Sequence, residues 1–306
     1  MGFLLATLIL CHVYASISTY MIPFSAMDPD EVAETKVLDM RSAFITDLSR
    51  QTYAIGEKLC TASEFGSVYK GIQGALTEGD CAALFYFAAW GSYEQIRVGN
   101  VPSMHGKYEY NPHTRGYVYV ETGSFLGLSS HIVAAGLIYA GATGLVYCHD
   151  LWDMGTNTTS LLNDGTGSLW DHELLLDKQT PSRFARFYSN VIREELQHFI
   201  IPIQGNSLVT LRIHPSESAH LIFVDGSHTF ENVYQDLVES WRILKPGGAL
   251  LGHDCLPESM ERATSEEEGR GRGVRAAVKL FAAETNATWY ILANTMFMFY
   301  IPKDLP

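Results

Sequence analysis

Short unbroken apolar runs alternate along the second half of the chain with stretches in which apolar residues recur every three or four positions. Tyr117–Val120, Leu145–Cys148, Leu221–Val224 and Ala249–Leu251 are runs of the first kind. They read as strands covered on both faces, which implies a parallel sheet. Ser129–Tyr139 is of the second kind, with Ile132, Val133, Leu137 and Ile138 on its apolar side. So is the segment carrying Val233, Leu237, Trp241 and Leu244, which form one helical stripe. Its first turn holds Glu231, and Lys245-Pro246-Gly247-Gly248 stops it. Arg183–Phe199 and Val274–Glu284 predict further helices, and Phe199–Ile203 another strand. Trp289–Leu292 and Met296–Tyr300 predict a closing hairpin. The fold class expected is α/β, a doubly wound and mostly parallel sheet.

The first half reads differently. Asp28-Pro29-Asp30-Glu31 is a helix start, with a capping Asp, Pro at the first helical position and Glu three residues after the cap. Val37, Met40, Phe44 and Leu48 continue it, and Asp80–Tyr93 predicts a second helix. Residues 28–116 are therefore expected to form a mainly helical extension, and 117–306 the sheet domain. Gly99–Gly116, Trp152–Pro181 and the charged Leu256–Arg272 read as loops. Residues 1–18 resemble a secretory signal peptide: Phe3–Leu10 is apolar and small residues follow at Ala15–Ser18. Two sequons, at Asn157 and Asn286, fit the secretory pathway or an extracellular destination. A cytoplasmic chain with an apolar N-terminus is the alternative. No later segment is long and apolar enough to predict a stable membrane span.

Charge narrows the partners. A net charge of −13 argues against nucleic acid as the main ligand and leaves small molecules and metal cations open. The five cysteines form no CxxC pair, so a zinc ribbon has no support. Self-association into a homo-oligomer is left open.

In a parallel sheet, ligands bind beyond the carboxyl ends of the strands. Two polar constellations fall there. The first is Glu121, Gly123, Ser124, Gly127 and Ser129, followed by Asp150 about 23 residues past Gly127. A glycine turn brings backbone N–H groups close to a ligand, and a carboxylate after the next strand can accept ribose hydroxyls. The turn has no Lys, which disfavours a triphosphate-binding loop, and its spacing is not G-x-G-x-x-G. The second constellation is Asp225, His228, His253 and Asp254 at the ends of two strands. Oxygen ligands from two strand ends suit a hard divalent cation such as Mg²⁺, while an imidazole shifts the preference toward transition metals. Each residue alone has a plainer reading, as a cap or a packed histidine; their joint arrival at two strand ends favours a site.

VETGSFLGLSS, YCHDLW, IPIQGNS, FVDGSHTFENVYQDL and LKPGGALLGHD resemble, in order, class I S-adenosylmethionine-dependent methyltransferases. More narrowly they resemble the metal-dependent macrocin O-methyltransferase-like group, over Tyr117 to the C-terminus. That resemblance implies a Rossmann-like sheet of seven strands. It implies S-adenosylmethionine held by Glu121, Gly123, Ser124, Gly127, Ser129 and Asp150, with its adenine bordered by Gly205, Asn206 and Ser207. It implies a divalent cation on Asp225, His253 and Asp254, and His228 as general base. His253 stands where many relatives carry an acid or amide. The expected function is O-methylation of a small-molecule hydroxyl. The alternatives are a metal-dependent hydroxylase on the same scaffold and a non-catalytic binding module.

Overall fold

The computed structural model describes residues 54–63, 66–104, 116–152, 182–256, 273–292 and 295–300. The helix start at Asp28, the Asn157 sequon, most of the loop from Trp152 and nearly all of the charged loop from Leu256 lie outside these residues.

The centre of the molecule is the expected α/β sheet. It has seven strands: β4 (Tyr117–Thr122), β5 (Gly144–Asp150), β6 (Ile200–Gln204), β7 (Ala219–Val224), β8 (Leu244–Gly252), β9 (Trp289–Leu292) and β10 (Met296–Tyr300). Their order is β6-β5-β4-β7-β8-β10-β9. The first five strands pair in parallel, and β10 inserts antiparallel between β8 and β9. The order reverses direction after β4, and such a switch point opens a crevice at the carboxyl ends of β4 and β7.

Side-chain alternation explains why the strands are apolar throughout. Tyr117, Tyr119, Leu221, Phe223, Ala249 and Leu251 join the core on one face. Val118, Val120, Ile222, Val224 and Leu250 join the core on the other. With both faces covered, neither parity of position can be polar.

Helices α1 (Glu78–Arg97), α2 (Leu128–Ala140) and α3 (Arg183–Arg193) supply the first core. Helices α4 (Phe230–Ile243) and α5 (Val274–Thr285) supply the second. Ile132, Val133 and Leu137 are fully buried as expected, but Ile138 is 44% exposed. Helix α3 ends at Arg193, short of the predicted Phe199, because Glu195 enters the left-handed region at φ 58° and stops it. Strand β8 starts at Leu244, so Lys245–Gly248 belongs to the strand rather than to a separate turn. Gly247, at φ 78°, takes up the irregularity there.

The segment before the main sheet is not only helical. Strands β1 (Thr61–Ser63), β2 (Gly66–Tyr69) and β3 (Ile72–Gly74) form a small antiparallel sheet. Each has three or four residues, too few for an alternating pattern to show in sequence. Helix α1 then packs on α2 with close backbone approach. A Cβ on Gly136 would lie 2.9 Å from the Ala88 side chain and from the Phe85 carbonyl. This segment and the main sheet therefore share one core rather than forming separate bodies. Among the described residues no helix is long and apolar enough to cross a membrane.

Candidate functional site

The crevice at the switch point is a cavity of about 520 Å³, within the range that takes a cofactor-sized molecule. Most of the predicted residues line it: Gly123, Ser124 and Ser129 after β4, Asp150 after β5, Gly205–Ser207 after β6, and Asp225, His228, His253 and Asp254 after β7 and β8. Two do not. Gly127, at φ 94°, caps α2 in the left-handed conformation and shapes the turn from behind. Glu121 is buried under the bend, where it accepts a hydrogen bond from the Tyr119 hydroxyl at 2.7 Å. Burial raises its carboxyl above the usual range, partly offset by the Ser124, Tyr119, Ser129 and Cys148 side chains.

The glycine bend and the acidic cluster are joined by backbone. Gly123 has φ 82°, and a Cβ there would lie 1.9 Å from the Asp225 carbonyl oxygen. Only glycine lets the first turn close against the end of β7. The Asp225 N–H donates to the Thr122 carbonyl at 3.0 Å, and the Gly123 N–H to His149 at 2.8 Å. The Asp150 carboxylate accepts from the Phe125 N–H at 2.8 Å and from the Trp152 N–H at 2.6 Å, fixing the bend to the end of β5. Asn206 caps the turn Ser207–Thr210 by accepting from the Leu208 N–H.

At the other end, Asp225 Oδ1 lies 3.7 Å and Asp254 Oδ1 3.4 Å from His253 Nδ1. One ligand atom from each of these three residues falls within 4.8 Å of the others. An octahedral ion with ligands at ~2.1 Å would set neighbouring ligands ~3 Å apart and opposite ones ~4 Å apart, and the two separations from His253 Nδ1, 3.7 and 3.4 Å, fall between these. The donor chemistry also fits. His253 Nε2 faces Asp80 Oδ2 and Thr295 Oγ1, each at 3.3 Å. A carboxylate only accepts, so Nε2 carries a proton toward Asp80, and Nδ1 faces two carboxylate oxygens, a place that either a second ring proton or a cation fills. Burial pulls His253 down, but Asp225, Asp254 and Asp80 outweigh it and leave the ring well above the usual histidine range, so the imidazolium balances the acids and a cation bound there would displace its Nδ1 proton.

The same groups crowd one another electrostatically. Burial raises Asp225 to about 7, against the lowering influence of His253. Burial also pulls His228 down, but its hydrogen bond to Asp254 and the charges of Asp254 and Asp225 outweigh this and leave it raised. His228 Nε2 sits 2.8 Å from Asp254 Oδ2. Asp254 itself is at φ 58°, a strained backbone of the kind that collects at functional sites.

Several lining groups carried no signal in the sequence reading. Gln73–Leu76, from β3 and the turn after it, form one wall of the cavity, and Arg183 contributes from the start of α3. His149 also lines it, with Nδ1 on Thr210 Oγ1 at 2.8 Å and Nε2 on His214 Nε2 at 2.9 Å. Burial lowers His149 to about 3 and His214 to about 4. Asp80 reaches the site from 173 residues away in sequence. His198 is exposed and takes no part. Among the described residues, Cys60, Cys81, Cys148 and Cys255 are buried and form no disulfide.

Fold and crevice together define an α/β protein with a cofactor-sized site at the switch point of a Rossmann-like sheet. Residues 120–255 match the family model described as a methyltransferase domain. This bears out the expected enzyme class and supports S-adenosylmethionine as the methyl donor. No curated protein matches the chain. Among solved structures, the O-methyltransferase NovP is 14% identical, with 84% of this chain and 97% of that one covered and a TM-score of 0.48. An O-methyltransferase from Bacillus cereus, in complex with SAH, is 16% identical, with 69% and 89% covered and a TM-score of 0.41. Likenesses at this level assign no substrate to this chain.

Proposed function

We propose that the chain transfers a methyl group from S-adenosylmethionine to a hydroxyl of a small molecule, with a divalent cation on Asp225, His253 and Asp254. The observation that carries this reading is the junction at Gly123 and Asp225, which sets a cofactor bend and a cation-shaped cluster against each other in one cavity. Gly123, Ser124 and Ser129 would hold the methionine part, Asp150 the ribose, and Gly205, Asn206 and Ser207 the adenine side. When bound, S-adenosylmethionine supplies a methyl on a sulfonium sulfur, and the cation lowers the pKa of a hydroxyl it touches.

The chain's own part is positional and protonic. His228 takes the hydroxyl proton at Nδ1, the ring nitrogen left without a partner, while its Nε2–H donates to Asp254 Oδ2, which stabilises the imidazolium. The methyl would pass from that sulfur, which would keep the electron pair, to the acceptor oxygen that His228 deprotonates. The bend and the Gln73–Leu76 wall line one cavity and would hold the acceptor against the donor, which supplies the effective-concentration part of the rate. The resemblance to macrocin-type enzymes favours sugar or polyketide hydroxyls as acceptors.

The test is binding followed by turnover. Titration calorimetry should show S-adenosylhomocysteine bound, and methyl-labelled donor should label an acceptor from a panel of sugar, polyketide and phenol hydroxyls only when Mg²⁺ or Mn²⁺ is present. Labelling that survives complete chelation would remove the cation from the reading. Absence of any S-adenosylhomocysteine binding would end it.

A further inference from the structure

Asp80 is a buried acid for which the proposed reaction has no stated use. It is the third residue of α1, where it completes a capping box: its Oδ2 accepts from the Thr77 N–H at 2.9 Å and the Thr77 hydroxyl at 2.7 Å. Capping alone does not require burial, since most capping acids sit at the surface near water. Asp80 is 0% exposed, and its Oδ1 is buried without a hydrogen-bond partner. Leaving a buried carboxylate oxygen unpaired is costly, and a residue is kept in that state only where its position matters.

The position is set against His253, whose Nε2 lies 3.3 Å from Asp80 Oδ2. Asp80 is not one of the three residues whose ligand atoms gather within 4.8 Å. It therefore stands one step back from the cluster, on the far side of the His253 ring.

We infer that Asp80 is a positioning residue for the cation: it holds the His253 proton on Nε2 and so delivers Nδ1, unprotonated, to the point where Asp225 and Asp254 converge. This rests on the cation reading above. Histidines that bind metals through one nitrogen are commonly held through the other by a carboxylate, which fixes the tautomer and makes the ring a better donor. Here the carboxylate comes from a helix outside the matched stretch 120–255. The segment before the sheet thereby becomes part of the site: Gln73–Leu76 wall the cavity and Asp80 orients a ligand.

The experiment uses the full chain and Mn²⁺ alone, titrated by calorimetry and by the electron-spin signal of free Mn²⁺. Four variants are compared: Asp80→Asn, which keeps a side-chain oxygen for the Thr77 cap but removes the charge that faces His253 Nε2, Asp225→Asn, His253→Asp, and the double variant Asp80→Asn/His253→Asp. Asp80→Asn should weaken Mn²⁺ by ~10- to 100-fold while S-adenosylhomocysteine affinity holds. In the His253→Asp background the same change should cost nothing, because no ring remains to orient; a merely structural role would weaken both backgrounds alike and would overturn the inference. Wild-type affinity in Asp80→Asn, with binding lost in Asp225→Asn, would remove the role of Asp80 and leave the cation site standing. No Mn²⁺ binding by the wild type would remove both. Should Asp80→Asn fail to fold, Asp80→Ser takes its place in the same two backgrounds: a loss of Mn²⁺ affinity confined to the His253 background supports the inference, and an equal loss in both, or none in either, defeats it.

Discussion

The junction of the two half-sites can be broken by one methyl group. In Gly123→Ala the new Cβ would start 1.9 Å from the Asp225 carbonyl oxygen, where real contacts stay beyond 3.0 Å. The bend or the end of β7 must then move by about 1 Å, because both contacting groups are backbone. Holding alanine at φ 82° adds about 1–2 kcal/mol. The shift also strains the Asp225-to-Thr122 and Gly123-to-His149 backbone bonds, each worth about 1 kcal/mol. The expected destabilisation is about 2–5 kcal/mol. Two controls separate the contributions. Gly71→Ala carries a similar φ of 77° with nothing within 4 Å, so it reads backbone strain alone. At Gly226 a Cβ would meet the Thr122 hydroxyl at 3.4 Å, an ordinary contact, and alanine should be tolerated. Guanidinium unfolding gives the stabilities, and calorimetry gives S-adenosylhomocysteine and Mn²⁺ affinities. Gly123→Ala should lose both affinities together and more stability than Gly71→Ala. Stability equal to that of Gly71→Ala with both affinities intact would refute the reasoning.

Other outcomes follow from the same geometry. His228→Ala should lower turnover by ~10²–10⁴-fold with S-adenosylhomocysteine affinity unchanged, read as labelled acceptor against calorimetry; an unchanged rate would remove His228 as the base. Asp150→Ala should weaken S-adenosylhomocysteine by about 1.5–3 kcal/mol, the range for hydrogen bonds to a charged group, while Mn²⁺ binding persists. His149 must stay neutral to stay folded, because burial lowers it from 6.5 to about 3. The unfolded chain takes up a proton that the native state refuses, so this residue destabilises the protein as pH falls below 6.5. The loss is about 1.4 kcal/mol per pH unit, or about 2 kcal/mol by pH 5. In His149→Gln that loss should vanish from the difference between pH 7 and pH 5 unfolding curves, and an unaltered pH slope would contradict the assignment.

What was legible in the sequence was what local pattern encodes. Ala219–Val224 and the Ala249–Leu251 part of β8 lie within covered layers, so their apolar runs announced strands, and the acids following them announced a rim. The hairpin Trp289–Leu292 and Met296–Tyr300 was legible for the same reason. What escaped was either too short or too far away. Strands β1–β3 give no period, yet β3 and the following turn build a wall of the cavity. Asp80 reads in sequence as an ordinary acid in the first turn of a helix. Only the packing of α1 on α2 through Gly136, with its fold across the sheet, brings that acid to His253. His149 looked like a neighbour of Asp150, and its pairing with His214 depends on a loop 65 residues on.

The most direct measurement is a crystal structure of the full chain with S-adenosylhomocysteine and Mn²⁺, using anomalous scattering from the manganese. The account predicts one strong peak among Asp225, His253 Nδ1 and Asp254, with the cofactor along Gly123–Ser129 and its sulfur facing that peak across the same cavity. A peak elsewhere, or a cofactor outside the bend with these three side chains bare, would contradict it.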